Sequence, residues 1–341
     1  MAVSVLFTLI ACTGPGATPP SWSTDAVEVS PVRLGIVGDA NDADQQFSGL
    51  AWAGRMLVLL PECKAGEQCR VWTVPRTAIE RAIDEGAPIE PAPWPLQAPG
   101  LVDLDGYDGL EAIAISGEHV WVTAERRPHG GYMVPGRLVG ARIELWPALA
   151  TAIEATSEVT NKSDEAIVVV GHDVWSMHEL NGPPIATRAF ARRFEDPRSL
   201  APDAPPRPVP GGVVPMPVIP YRVTDATAAH SGRFEVVNYL WSDDVGLRTT
   251  RDTVAQAWGV GPSHAGAWKV ERILQLSIGP PITMAGPPIY ITLDGPSRNW
   301  EGIARLDDRG WLVVTDQHPE TILAFVPAPS AEGKAATPRA P

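Results

Sequence analysis

Basic side chains are scarce in this sequence. Against 40 Asp and Glu, the 341 residues carry 27 Lys and Arg, a formal net charge of -13. Duplex nucleic acid is therefore excluded as an expected partner, because neutralising phosphates needs a basic face. Metal cations or cationic groups suit the summed field better. Cysteine is scarcer still, at three residues. No second Cys/His pair stands at ligand spacing, which removes structural zinc. Past the N-terminus no run is long and apolar enough to cross a bilayer. Signature motifs are also missing. Gly261-Pro262-Ser263-His264-Ala265-Gly266 has the wrong spacing for a nucleophile elbow. No zinc-protease helix motif, P-loop or dinucleotide fingerprint occurs.

Proline (36) and glycine (31) are plentiful, and only 20% of residues are charged while 44% are hydrophobic. Many turns, few long helices and a sizeable core fit that mixture. Residues 1–12 form a short apolar run with the features of a secretory signal. Leu9-Ile10-Ala11-Cys12 resembles a bacterial lipobox, although no Lys or Arg precedes it. Cys12 is then a lipidation site, and Thr13 after it points to the outer membrane of the cell envelope. Setting Cys12 aside leaves Cys63 and Cys69, a plausible loop-closing disulfide in an oxidising compartment. Residues 13–26 read as a flexible tether, 27–327 as the folded domain and 328–341 as a disordered tail. The membrane is contacted through the lipid anchor alone, and a monomer is expected.

Within 27–327 one plan recurs. A polar residue opens it, small or apolar residues follow, a turn comes next, then an apolar strand and a second polar residue. The openers are Ser48, Glu111, Glu165, Asp225 and Glu301; the closers are Glu62, Glu125, Glu179 (or His178), Asn238 and Asp316. Fourteen residues separate opener from closer in the first three copies, thirteen in the fourth and fifteen in the fifth. Such spacing predicts an all-β fold, a β-propeller of four-stranded blades. Five copies predict five blades, or six if the long interval between Asp225 and Glu301 holds a degenerate one. Residues 301–327 with the N-terminal strand should complete one blade. A short helix is expected over 76–83, with Pro75 at its start. Residues 182–220, rich in Pro and carrying Arg188, Arg192, Arg193, Arg198 and Arg207, read as a long loop between blades. Trp121, Trp175 and Trp311 fall in repeat strands and read as core.

Equivalent positions in a propeller lie on a ring. Carboxylates on one ring repel unless protons or a cation intervene. All-oxygen donors favour Ca²⁺, then Mg²⁺. The competing reading is structural, with each buried carboxylate accepting backbone N–H groups to hold its own blade. Asp103, Asp105 and Asp108 form a second acidic cluster, with calcium-loop spacing for the first two only.

Phe47-Ser48-Gly49-Leu50-Ala51, Glu111-Ala112-Ile113-Ala114, and Asn299-Trp300-Glu301-Gly302-Ile303-Ala304 with Val313-Val314-Thr315-Asp316 resemble the esterase-like phytase domain family. Ala112 and Ala166 stand where that motif has Gly. The resemblance implies a β-propeller that hydrolyses a phosphorylated small molecule with Ca²⁺ at acidic residues of the channel. Metal ligands are then expected among Glu111, Glu165, Glu301, Asp316, Glu125 and Asp225, with Arg126, Arg127 and His129 facing the phosphate. The alternative is a non-catalytic propeller that binds a ligand or an envelope protein.

Overall fold

The computed structural model describes residues 26–64, 69–160, 162–186, 188–196, 207–249 and 251–329. Cys12, the rest of residues 1–25, Arg198 and the tail beyond residue 329 lie outside them.

Each repeat folds as an antiparallel hairpin. Phe47–Ala53 pairs with Met56–Pro61, Tyr107–Ser116 with His119–Arg126, and Asp164–Val170 with Asp173–His178. Arg222–Ala226 pairs with Arg233–Leu240, and Trp300–Leu306 with Gly310–Thr315. The first three hairpins turn at Gly54, Gly117 and Gly171, each in the left-handed region at φ 61, 60 and 63, where an L side chain would be strained.

The first strand of each hairpin packs beside the first strand of the next, and the fifth returns to the first, so the ring closes. Outer strands complete each sheet. Arg70–Pro75 and Ala92–Gln97 extend the first; Gly131–Leu138 and Ile143–Leu145 extend the second. The result is an all-β, propeller-like architecture with two short α-helices, Arg76–Glu85 and Thr253–Trp258, among the described residues. The outermost strands of the first two sheets pair in parallel, Leu96 with Ile143, which fuses those sheets.

The N-terminus closes the ring in two places. Val32–Leu34 pairs antiparallel with Leu323–Pro327, completing the last sheet as expected. Val27–Val29 pairs in parallel with Ile289–Ile291 of the fourth sheet, a contact the sequence did not reveal.

Alternation along the strands places the core. Leu57 and Leu59 pack toward the fifth sheet, while Val58 and Leu60 pack toward the second. A separate buried apolar cluster fills every one of the five gaps between neighbouring sheets. Both faces of each sheet are thus buried, which explains continuous apolar strands such as Met56–Pro61. Trp121 and Trp311 are almost wholly buried, and Trp175 nearly so.

One expectation is corrected. Residues 182–220 are not simply a surface loop: Ala189–Glu195 and Val209–Met216 are the outer strands of the third sheet. Pro and Gly in Val209–Met216 hid that strand, an edge position where missing N–H groups are tolerated. The long interval before Glu301 holds no additional sheet among the described residues. It contains a helix and the outer strands Val270–Ser277 and Ile289–Ile291 of the fourth sheet.

Candidate functional site

All five innermost strands break register at the same place. Ser48 sits in a bulge between Phe47 and Gly49, Glu111 between Leu110 and Ala112, and Glu165 between Asp164 and Ala166. Thr224 and Glu301 occupy the same place in the fourth and fifth strands. A bulge re-aims a side chain, and four of these five residues face one chamber on the axis. On the second strands the residue just beyond the last pair before the bulge is Glu62, Glu125, Glu179, Tyr239 or Asp316.

The fourth repeat is therefore corrected. Its opener is Thr224, not Asp225, and its closer is Tyr239, not Asn238. A slip of one residue along a strand moves a side chain to the other face. Asp225 is wholly buried and accepts the N–H groups of Leu50 at 3.1 Å, Ile303 at 2.8 Å and Ala226 at 2.8 Å. It ties three innermost strands together and leaves the set of metal candidates. Burial raises its carboxyl well above the usual range, with the three N–H groups opposing. Asn238 donates to the carbonyls of Pro220 and Arg222 and accepts from Arg272.

The chamber has a volume of about 260 Å³. Seven carboxyl groups line it (Glu62, Asp108, Glu111, Glu125, Glu165, Glu301 and Asp316) against the four cations Lys64, Arg127, Lys162 and Arg222. Arg222 organises one side. Its guanidinium pairs with Glu179 at 2.6 Å, Glu301 at 3.2 Å and Glu165 at 3.5 Å, and lies over the Tyr239 ring. The Tyr239 hydroxyl donates to Glu301, and Lys162 adds a second cation to Glu179 at 3.2 Å. Burial works against ionising Glu179, yet Lys162 and Arg222 hold its carboxyl down at about 2. Glu165 goes the other way: burial and then Glu179 push it well up, against Arg222.

The opposite side is less compensated. Lys64 pairs with Glu62 and Arg127 with Asp108, each at 2.5 Å. Neither the Glu111 nor the Glu125 carboxylate has a hydrogen bond or ion pair among the described residues. Burial, then Glu125, Glu62 and Glu301, raise Glu111 well above the usual carboxylate range. Burial, then Glu179 and Asp108, push Glu125 up to about 7. Burial, then Glu301 and Glu62, push Asp316 up to about 7 as well. Asp316 accepts from Asn299 through Oδ2, while its Oδ1 is buried with no hydrogen-bond partner among the described residues.

The Cys63–Cys69 disulfide, with Cα atoms 5.5 Å apart, adjoins this wall and restrains the chain that carries Glu62 and Lys64. Of the three residues expected to face a phosphate, only Arg127 lines the chamber. Arg126 instead pairs with Asp105 and lies over Tyr132, and His129 sits 4.0 Å from Glu158. With Asp105 and Asp108 both bound to arginines, the acidic turn is a salt-bridged one. No three His, Cys, Asp or Glu converge in a metal-binding arrangement among the described residues.

Sequence reasoning missed Lys64, Lys162, Arg222, Tyr239 and His318. His318 lines the chamber and stacks on Trp241 at 5.1 Å. Arg222 had one legible signal: it precedes Thr224 by two residues and so shares its face. That signal appears only once the fourth repeat is aligned on Thr224.

No protein-family model matches the sequence, and no curated protein does. Among solved structures, the chain is similar to a GH43_1 enzyme from Xanthomonas citri (13% identity, TM-score 0.45, covering 91% of this chain and 94% of that one). It is also similar to a glycosyl hydrolase from Bacteroides ovatus (12%, 0.46, 92% and 96%). A third is the periplasmic gluconolactonase of Pseudomonas aeruginosa (14%, 0.45, 85% and 83%).

Proposed function

We propose that this protein is an exported five-bladed propeller whose acidic chamber binds Ca²⁺ and hydrolyses a phosphate ester. The observation that carries the reading is the charge count around one enclosed space: seven carboxyl groups face four cations. Such a set must hold either protons or a cation. The donor chemistry, carboxylate oxygen throughout, fits a hard cation. The open Oδ1 of Asp316 and the unpaired Glu111 and Glu125 supply donors, with Glu62 beside them. Glu165 and Glu301 are already engaged by Arg222, so their part is to hold that cation in place. A bound Ca²⁺ would polarise a phosphoryl oxygen and acidify a water.

The chain's own residues supply the rest. Arg127 and Lys64 stand at the chamber to attract an anionic substrate. Glu125 and Asp316, which burial and neighbouring acids push up to about 7, would give up their protons as a cation binds. The resemblance of the Glu301 stretch to esterase-like phytase domains supports the substrate class. The disulfide supports an oxidising compartment, and Cys12 is the proposed anchor at the outer membrane.

Calorimetric Ca²⁺ titration in two buffers of different ionisation enthalpy, run beside turnover of p-nitrophenyl phosphate and inositol phosphates, tests this. Saturable binding with proton release, Ca²⁺-dependent turnover, and loss of both in Glu111→Gln are expected. Binding without turnover would favour a non-catalytic propeller for a ligand or an envelope partner, the reading consistent with the lack of a preformed three-carboxylate cluster. Absence of both binding and turnover would end the proposal.

A further inference from the structure

The axis has a second end. Two residues past the bulge on each innermost strand stand Leu50, Ile113, Ile167, Ala226 and Ile303, all almost wholly buried. Period-two alternation turns them toward the same axis, and together they form an apolar collar beyond the acidic chamber. Past the collar the axis opens into a pocket of about 540 Å³, lined by residues from all five innermost strands or the turns that follow them.

This pocket differs from the chamber in kind. Ala51, Ala114, Ala228, Ala229 and Ala304 contribute to its walls, so its space comes from small side chains meeting around a ring. Trp52 supplies a flat wall, held by its indole N–H donating to the Arg305 carbonyl at 2.7 Å. The rim is charged and slightly acidic: Arg305 pairs with Glu235 at 2.6 Å and more loosely with the exposed Asp308 at 3.5 Å, and Asp307 pairs with Arg76. The His230 imidazole, also at the rim, makes no hydrogen bond to a described residue. A cavity in the size range of ligand sites, with apolar walls and polar groups confined to its rim, suits a small molecule.

We propose that this pocket binds an uncharged, compact aromatic molecule carrying a hydroxyl group, with its ring against Trp52 and its hydroxyl at His230. The extra rim carboxylate, Asp308, disfavours an anionic ligand, and the mostly apolar walls disfavour burying a cation. The round outline set by five strands argues for a ring system over an extended acyl chain. The collar separates the site from the acidic chamber, so binding is independent of Ca²⁺.

Calorimetry with 2-naphthol and with 1-decanol tests the proposal on wild type, Trp52→Ala and Ala228→Phe. Ala228 is exposed at the pocket mouth, so Phe there fills space without disturbing the core; circular dichroism checks that. One-to-one binding of 2-naphthol is expected, at least tenfold tighter than 1-decanol, weakened at least tenfold in Ala228→Phe and in Trp52→Ala, and unchanged by EDTA. Absence of saturable naphthol binding, equal or tighter binding of decanol, or full binding by Ala228→Phe would each overturn it.

Discussion

The chamber has two walls built from the same repeat with opposite electrostatic outcomes. On the side of the third to fifth sheets, Glu165, Glu179 and Glu301 surround Arg222, with Lys162 and the Tyr239 hydroxyl adding donors. On the side of the first two sheets, Glu111 and Glu125 face each other's charge with no paired cation. The difference traces to the fourth repeat, which carries Thr224 and Tyr239 where its neighbours carry two acids, and adds Arg222 on the same face. One repeat that departs from the pattern neutralises the wall beside it. The repeats that keep the pattern leave a wall that must hold protons or recruit a cation. Repetition thus made the site acidic, and the fourth repeat, by bringing Arg222 to it, divided it into a neutralised half and a titratable half.

Removing Arg222 breaks the comparison most severely. Arg222→Met should destabilise the protein by about 3–5 kcal/mol, because it strands buried carboxylates without their counter-ion. Urea unfolding at pH 8 measures it; a change within error would show that the wall is not organised by Arg222. Arg222→Lys should recover part of the loss, since an ammonium restores charge but not the fork of donors.

The second prediction concerns the chamber carboxyl groups outside the Arg222 ion pairs, in EDTA. Glu125 titrates near 7 in the fold against an ordinary 4.5, and Asp316 near 7 against 3.8. Below the ordinary values both folded and unfolded chains are protonated and the fold keeps its full stability. Between those values and 7 the unfolded chain ionises while the folded one holds its proton, so stability falls as pH rises, then levels off. Glu179 has the opposite sign, but its loss comes only below 4.5. Thermal unfolding should therefore show Tm falling from pH 5 to pH 8. Glu125→Gln should flatten that slope and raise stability at pH 8 by roughly 2–3 kcal/mol. A Tm that rises over this interval would refute the titratable wall.

The smallest effect sharpens the role of Tyr239. Tyr239→Phe removes one buried donor to Glu301 and should cost about 1–2 kcal/mol. Carboxyl signals followed by NMR should show Glu301 holding its proton to higher pH in the variant, because the Tyr239 hydroxyl lowers its proton affinity.

Much of this was readable beforehand, for a local reason. The opener and closer spacing is a property of a hairpin, and a hairpin is contiguous chain, so Glu111, Glu125, Glu165, Glu301 and Asp316 could be paired from residue numbers. The structure gives the motif glycine a reason: a Cβ on Gly302 would lie 2.7 Å from Val314 and 2.9 Å from Leu50, so it marks close approach between two sheets. Ala112 and Ala166, in its place elsewhere, are both fully buried, so those two contacts accommodate one methyl group. The fourth repeat was misread by one residue because Asp225 imitates an opener in type while its face is set by the bulge. A bulge is defined by pairing and leaves no mark in composition. The strand Val209–Met216 was hidden for a similar reason, since Pro and Gly argue against a strand until an edge position makes them acceptable.

By itself the sequence determined the all-β repeat, the two acids in most copies, the negative charge and the disulfide pair, because each rests on residue type and short spacing. Tertiary structure alone decided which acids face one another, which cation answers them, and that Asp225 is spent holding strands together. Those facts depend on ring closure, which brings residues more than a hundred positions apart to a common axis where burial and mutual charge set their protonation.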